Sequence, residues 1–163
     1  MGVAWKSVIP HNTPLPEDEG TRAAAACVVP DGDRHAATSE RQYLGDHIQF
    51  IFHERKQILL LDVANCSAAE VEKIFRATPE RVAARPRGSV LILSDFSGAS
   101  FDAEAIRVMK ETAVFDKPFV KKSAWIGAEN LPRSLRENLG NFSRREFRIF
   151  GTRPEALTWL AQD

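Results

Sequence analysis

The sequence predicts an α/β domain on a mixed, mostly parallel sheet of about five strands, with an N-terminal antiparallel hairpin and about four helices. The predicted order is β-β-α-β-α-β-α-β-α. Three observations carry this. Val90-Leu91-Ile92-Leu93 is a continuous apolar run bounded by polar residues, the pattern of a strand covered on both faces. A short polar connection, Ser97-Gly98-Ala99-Ser100, leads to Asp102, which opens a segment with Ala105, Ile106, Met109 and Ala113 at helical spacing. Strand-like and helix-like stretches then alternate, which calls for parallel pairing with right-handed crossovers.

Taken in order, residues 1–46 read as a disordered tail, acidic and interrupted by Pro10, Pro14, Pro16 and Pro30. A single domain is expected over residues 47–163. His47 to His53 alternates, with Ile48, Phe50 and Phe52 on one face. Glu54-Arg55-Lys56-Gln57 reads as the hairpin turn, and Ile58 to Val63 as a central strand. Ser67 and Glu70 form a capping box, with Cys66 and Val71 at the staple positions around it. The helix behind it carries Val71, Ile74, Phe75, Thr78 and Val82 on one stripe, and Pro86 and Gly88 end it. After the central strand and second helix, Asp116-Lys117-Pro118-Phe119 is a break. Ser123 to Ile126 is a short strand, Leu131 to Leu139 a weaker helix stopped by Gly140, and Phe147 to Phe150 the last strand. Thr152 and Glu155 form a second capping box, with Pro154 in the first turn of a closing helix.

The bulk numbers exclude more than they assign. Basic and acidic residues balance at 22 each, so no global field favours nucleic acid or anionic lipid. Residues 1–46 carry four basic and seven acidic side chains, a net charge of −3. Residues 117–153 carry nine basic and three acidic ones, a net charge of +6, which reads as a solvated surface rather than a patch. Cys27 and Cys66 have no metal spacing and no evident reason to pair, which points to a reducing cytoplasmic setting. No apolar run has the length of a membrane span, and Ala23 to Val29 makes a poor signal peptide. No GxGxxG, Walker, GxSxG or HExxH motif occurs. Catalytic residues, metal ligands and cofactors are therefore expected to be none.

Several stretches together carry a family resemblance. They are Ile48 to His53, Lys56 to Asp62, Ser89 to Phe96, Lys117 to Lys121, Ser123 to Gly127 and Phe150 to Leu160. The set resembles the STAS-like (SpoIIAA-like) domains of bacteria, and more narrowly the small bacterial proteins named for both STAS and SEC14 domains. The resemblance covers nearly all of residues 47–161 and leaves the tail out. It implies a regulatory or protein-interaction module, or a ligand sensor, rather than turnover. In the anti-sigma-factor antagonists of this fold, a serine in an Asp-Ser-Ser-Gly pattern is phosphorylated at the start of the helix after the central strand. Here that segment reads Asp102-Ala103-Glu104-Ala105, with alanine at the phosphoacceptor position. Ser100 is the nearby substitute, better read as a turn or cap serine.

Three readings of function follow. The first is a non-enzymatic interaction module lacking the usual phosphoacceptor, working through Asp95, Ser97, Ser100, Asp102 and Glu104. The second is a carrier or sensor of a small apolar or anionic ligand, lined by Asp62, Phe96, Phe101, Phe119 and Trp125, with Lys117, Lys121 or Lys122 at its mouth. The third is an enzyme using Asp62 and Asp95, which end two strands and otherwise read as acceptors of turn N–H groups. Cys66 precedes a helix N-terminus and reads as a packing residue rather than a redox thiolate. His47 and His53 would lie about 20 Å apart on one strand, too far to share a metal. The expected partner is an unidentified protein or a small ligand, not nucleic acid, for a monomer or weak homodimer.

Overall fold

The computed structural model describes residues 31–143 and 145–163. Five strands form one sheet in sequential order: β1 (Ile48–His53), β2 (Lys56–Asp62), β3 (Val90–Asp95), β4 (Val120–Ile126) and β5 (Glu146–Phe150). β1 and β2 pair antiparallel, and every later pair is parallel. The helices are α1 (Asp31–His47), α2 (Ala68–Ala83), α3 (Ala103–Asp116), α4 (Arg133–Ser143) and α5 (Arg153–Ala161). A 3₁₀ turn, Ala128–Asn130, precedes α4.

A sheet that always adds its next strand on the same side, with crossovers of one hand, sends its crossover helices to one face. The packing follows this. Leu59, Leu61, Val90, Ile92 and Trp125 join Ile74 and Phe75 of α2, Val108 and Met109 of α3, and Leu135 of α4 in one core. The alternate strand residues, Ile58, Leu60, Leu91, Leu93, Ala124 and Ile126, meet Ala156, Trp159 and Leu160 of α5 in the other. The closing helix therefore returns across the opposite face. That is why β2 and β3 read as unbroken apolar runs, since both parities are buried.

Local signals hold well. Ser67 Oγ accepts the Glu70 N–H, and Glu70 Oε2 accepts the Ser67 N–H at 2.8 Å, so the capping box is complete. Val71, Ile74, Phe75, Thr78 and Val82 of α2 are all buried. Pro79 lies inside this helix and brings no N–H for the carbonyl of Phe75. Thr112 of α3 supplies the missing donor, its hydroxyl reaching that carbonyl at 3.0 Å. The break in one helix thus becomes a tie between two.

Four differences from the sequence expectations are informative. Helix α1 occupies residues 31–47, inside the segment read as tail; residues 1–30 lie outside the described ones. Its polar sequence hides the helix, whose last turns pack Tyr43 and Leu44 against the sheet. His47 accordingly ends a helix and does not share a strand with His53. The hairpin turn is only Glu54-Arg55, because Lys56 and Gln57 already pair with His53 and Phe52. Finally, α4 continues through Gly140 to Ser143.

The two-residue turn sets both central residues at positive φ, 47° for Glu54 and 66° for Arg55. Asn-Gly suits such a turn far better than Glu-Arg, whose Cβ atoms disfavour positive φ. The variant Glu54→Asn/Arg55→Gly is expected to gain about 1 kcal/mol of stability in urea unfolding. A loss would show that the two side chains hold the turn by contacts of their own.

Candidate functional site

Side-chain parity carries Asp62 and Asp95 to one place. They continue the Ile58-Leu60 and Leu91-Leu93 rows, so both project to the α5 face at the carboxyl end of the sheet. They stand directly opposite in register. Arg153, the first residue of α5, lies between them: its Nη2 donates to Asp62 Oδ2 at 2.9 Å and to Asp95 Oδ2 at 3.2 Å. The second oxygen of each carboxylate closes its own turn. Asp62 Oδ1 accepts the Ala64 N–H at 3.2 Å and Asp95 Oδ1 the Ser97 N–H at 3.1 Å. The expected turn role is present, and a shared cation adds to it.

The loops beyond these aspartates are tied to one another through backbone. The Val63 N–H donates to Asp95 O, the Asn65 N–H to Ser97 O, the Phe96 N–H to Ile126 O and the Ser100 N–H to Cys66 O, all within 3.0 Å. Approach is closest at Gly127, with φ at +63°, where a Cβ would fall 2.3 Å from the Ser97 nitrogen. Above this scaffold Ser97, Gly98, Ser100, Asp102 and Ala103 are exposed, while Phe96 and Ala99 anchor the loop from below. Asp102 caps α3, its Oδ1 accepting the Ala105 N–H at 2.8 Å, so Ser100 is a loop residue and not the cap. Glu104 is engaged: Arg107 donates to it, Arg76 reaches it at 2.9 Å, and this hydrogen bonding and charge hold its carboxyl below the ordinary range.

The residues of the expected ligand pocket do not converge. Phe96 and Trp125 are core, with ring centres 5.0 Å apart, and Phe101 packs on Phe96 at 5.8 Å. Lys117 and Phe119 precede β4, at the opposite end of the sheet from Asp62 and Phe101. Lys121 is exposed near that same end, and Lys122 is buried on the α5 face, donating to Gln162 O at 2.6 Å. The basic stretch from Lys117 to Arg153 is likewise dispersed. Arg133 pairs with Glu137, Arg148 stacks 5.5 Å from the Trp159 ring, and Arg153 serves the two aspartates. Cys66 is buried and free, and burial, with Glu70 and Asp62 nearby, pushes its thiol up rather than towards thiolate. Cys27 lies outside the described residues. Among the described residues no cluster of three or more His, Cys, Asp or Glu is arranged to hold a metal.

Sequence reading passed over Asp116, which it used only as a helix breaker. This last residue of α3 is 2% exposed, with Oδ1 unpartnered, and burial raises its carboxyl from 3.8 to about 7 against the opposing charge of Arg145. The residues Ser94, Thr112 and Ser123 around it do not titrate.

With this geometry in view, comparison with solved structures locates the fold. A crystal structure of an uncharacterised DUF3478-family protein from Shewanella loihica PV-4, described as having a SpoIIAA-like fold, superposes with a TM-score of 0.57 at 18% identity, over 69% of this chain and 91% of that one. The chain has a SpoIIAA-like fold. No family model and no curated protein matches it. Among the described residues no helix is long and apolar enough to cross a membrane.

Two predictions follow from these charges. Arg153→Ala leaves two facing carboxylates without their cation. It is expected to cost about 1–2 kcal/mol in urea unfolding, a modest figure because Asp62 and Arg153 are a third exposed or more. Adding Asp62→Asn is expected to restore part of the loss; strict additivity would mean that the three groups are not coupled. For Asp116, a carboxyl raised in the folded state binds its proton more tightly there than in the unfolded chain. Its stabilising contribution is complete below about pH 4 and is lost as pH climbs to about 7. The gain from Asp116→Asn should therefore be near zero at pH 4, grow to at most about 4 kcal/mol, and level off above pH 7. A gain that shrinks with pH would mean an ionised, paired Asp116.

Proposed function

We propose that this chain is a non-enzymatic STAS-like regulatory or protein-interaction module that presents the connection after β3 to a protein partner, without the usual phosphoacceptor serine. One observation supports it most. The loop from Ser97 to Asp102 is exposed along its outer side, yet its backbone is tied to the β2–α2 loop and to the end of β4. A surface ordered before contact loses little freedom on binding. Ala103, at the phosphoacceptor position, is exposed at the start of α3, and Glu104 beside it is already paired with arginines.

The acid–base reading fares worse. Both aspartates share Arg153 and close turns, so neither oxygen set is free for proton transfer. The carrier reading with Lys117, Lys121 and Phe101 loses support because those residues lie at opposite ends of the sheet. The module belongs in the cytoplasm on this reading.

Affinity capture with the full chain tests the proposal. A partner held by wild type is expected to be lost with Ser100→Arg/Ala103→Arg and kept with Arg87→Glu, which lies before β3 at the opposite end of the sheet. Circular dichroism should show all three folded. A partner retained by the loop variant, or no partner dependent on this loop, sinks the proposal.

A further inference from the structure

A cavity of about 20 Å³ lies between the central strands and the α2–α4 layer, room for one or two waters or an ion of a few non-hydrogen atoms. Met109 and Trp125 are among its apolar walls. Its polar lining is out of proportion to its position. Seven polar or charged residues are buried in the described chain, and four of them, Ser94, Thr112, Asp116 and Ser123, line this one space. Arg145 enters it from the connection between α4 and β5.

The charged pair is unfinished. Asp116 Oδ1 is buried without a hydrogen-bonding partner, and so are Nε and Nη1 of Arg145. No ion pair within 4.0 Å joins the two side chains. Leaving buried polar atoms of both side chains without partners is costly, and the cost is removed when a third body hydrogen-bonds to both. The donor set decides its nature. A guanidinium only donates, so the occupant must accept. Burial favours the neutral form of Asp116, which donates as well. Donors on two sides select an oxyanion, and the carbon-lined walls select one with a carbon body over a mineral anion.

We propose that this cavity is a binding site for a small carboxylate of the size of formate or acetate, held between Arg145 and Asp116. The site is separate from the loop surface discussed above, on the opposite face of the sheet from Arg153, and neither reading depends on the other. Thr112 gives it a link to the helices: its hydroxyl is already committed to the Phe75 carbonyl, so the occupant packs against the α2–α3 tie rather than competing for it.

The test is a titration of the ¹⁵N-labelled full chain with sodium formate and sodium acetate, sodium chloride holding ionic strength constant. Saturable one-to-one shifts are expected at the amides of Ser94, Ala113 and Ser123 and at the Trp125 indole. Arg145→Met should weaken binding by about 10-fold or more, the usual loss of a charge-assisted hydrogen bond. No saturation below about 100 mM, shifts centred elsewhere, identical shifts from chloride alone, or unchanged affinity in a folded Arg145→Met each overturn the proposal. Should that variant not fold, the wild-type shift map and the chloride control decide alone.

Discussion

Burial of β2, β3 and β4 on both faces is the constraint from which the rest of the structure follows. Strands added in sequential order place α2, α3 and α4 on one side and leave the other row of Ile58, Leu60, Leu91 and Leu93 bare. An element outside the crossovers must cover it, and α5 does so with Ala156, Trp159 and Leu160. A bare row of that size would forfeit several kcal/mol of burial. The short closing helix is therefore an integral layer. Its N-terminus arrives at the carboxyl end of the sheet, where Asp62 and Asp95 need a cation, and its first residue is Arg153. Hydrophobic topology and local electrostatics meet at one residue.

Legibility of the sequence tracked the range of the interaction. The capping box at Ser67, the stripe along α2 and the end of α3 at Asp116 are set within a few residues and can be read directly. Continuous apolar runs disclosed which strands are central. The positions of Asp62 and Asp95 at strand ends were readable by parity, but their common cation lies 91 residues from one and 58 from the other. Nothing in local pattern marks Arg153 among nine basic residues of its segment. The same limit hid the tie from Thr112 to Phe75, which exists because Pro79 freed a carbonyl on a neighbouring helix. Helix α1 was missed for the opposite reason: its sequence is polar and weakly patterned, and its anchoring by Tyr43 and Leu44 is tertiary.

The candidate residues sorted by the same logic. Ser97, Ser100 and Asp102 are near in sequence and remained together in space. The aromatic and lysine set was assembled from composition. A parallel strand holds its two ends some 20 Å apart over six residues, so Lys117 before β4 and Phe101 after β3 were bound to part. Any pocket in a fold of this kind must gather residues from one end of several strands, or from one face between sheet and helices. The Asp116–Arg145 cavity is of the second sort, and its members come from β3, β4, α3 and the approach to β5.

The two polar sites differ in what they have to offer a ligand. At the carboxyl end, both oxygens of Asp62 and of Asp95 already have donors, and the loops above are closed by backbone hydrogen bonds. A bound group there would have to break existing bonds or rest on the outside, which suits contact with a protein surface. Behind the sheet, donors stand without acceptors in a space a few atoms wide. That arrangement gains hydrogen bonds when something small enters. The proposed protein contact at the loop and the proposed small anion beneath Trp125 therefore do not compete for the same residues. The central strand β3 touches both: Asp95 at its end supports the loop on one face, and Ser94 lines the cavity on the other. A change in how β3 ends would reach both places within one residue.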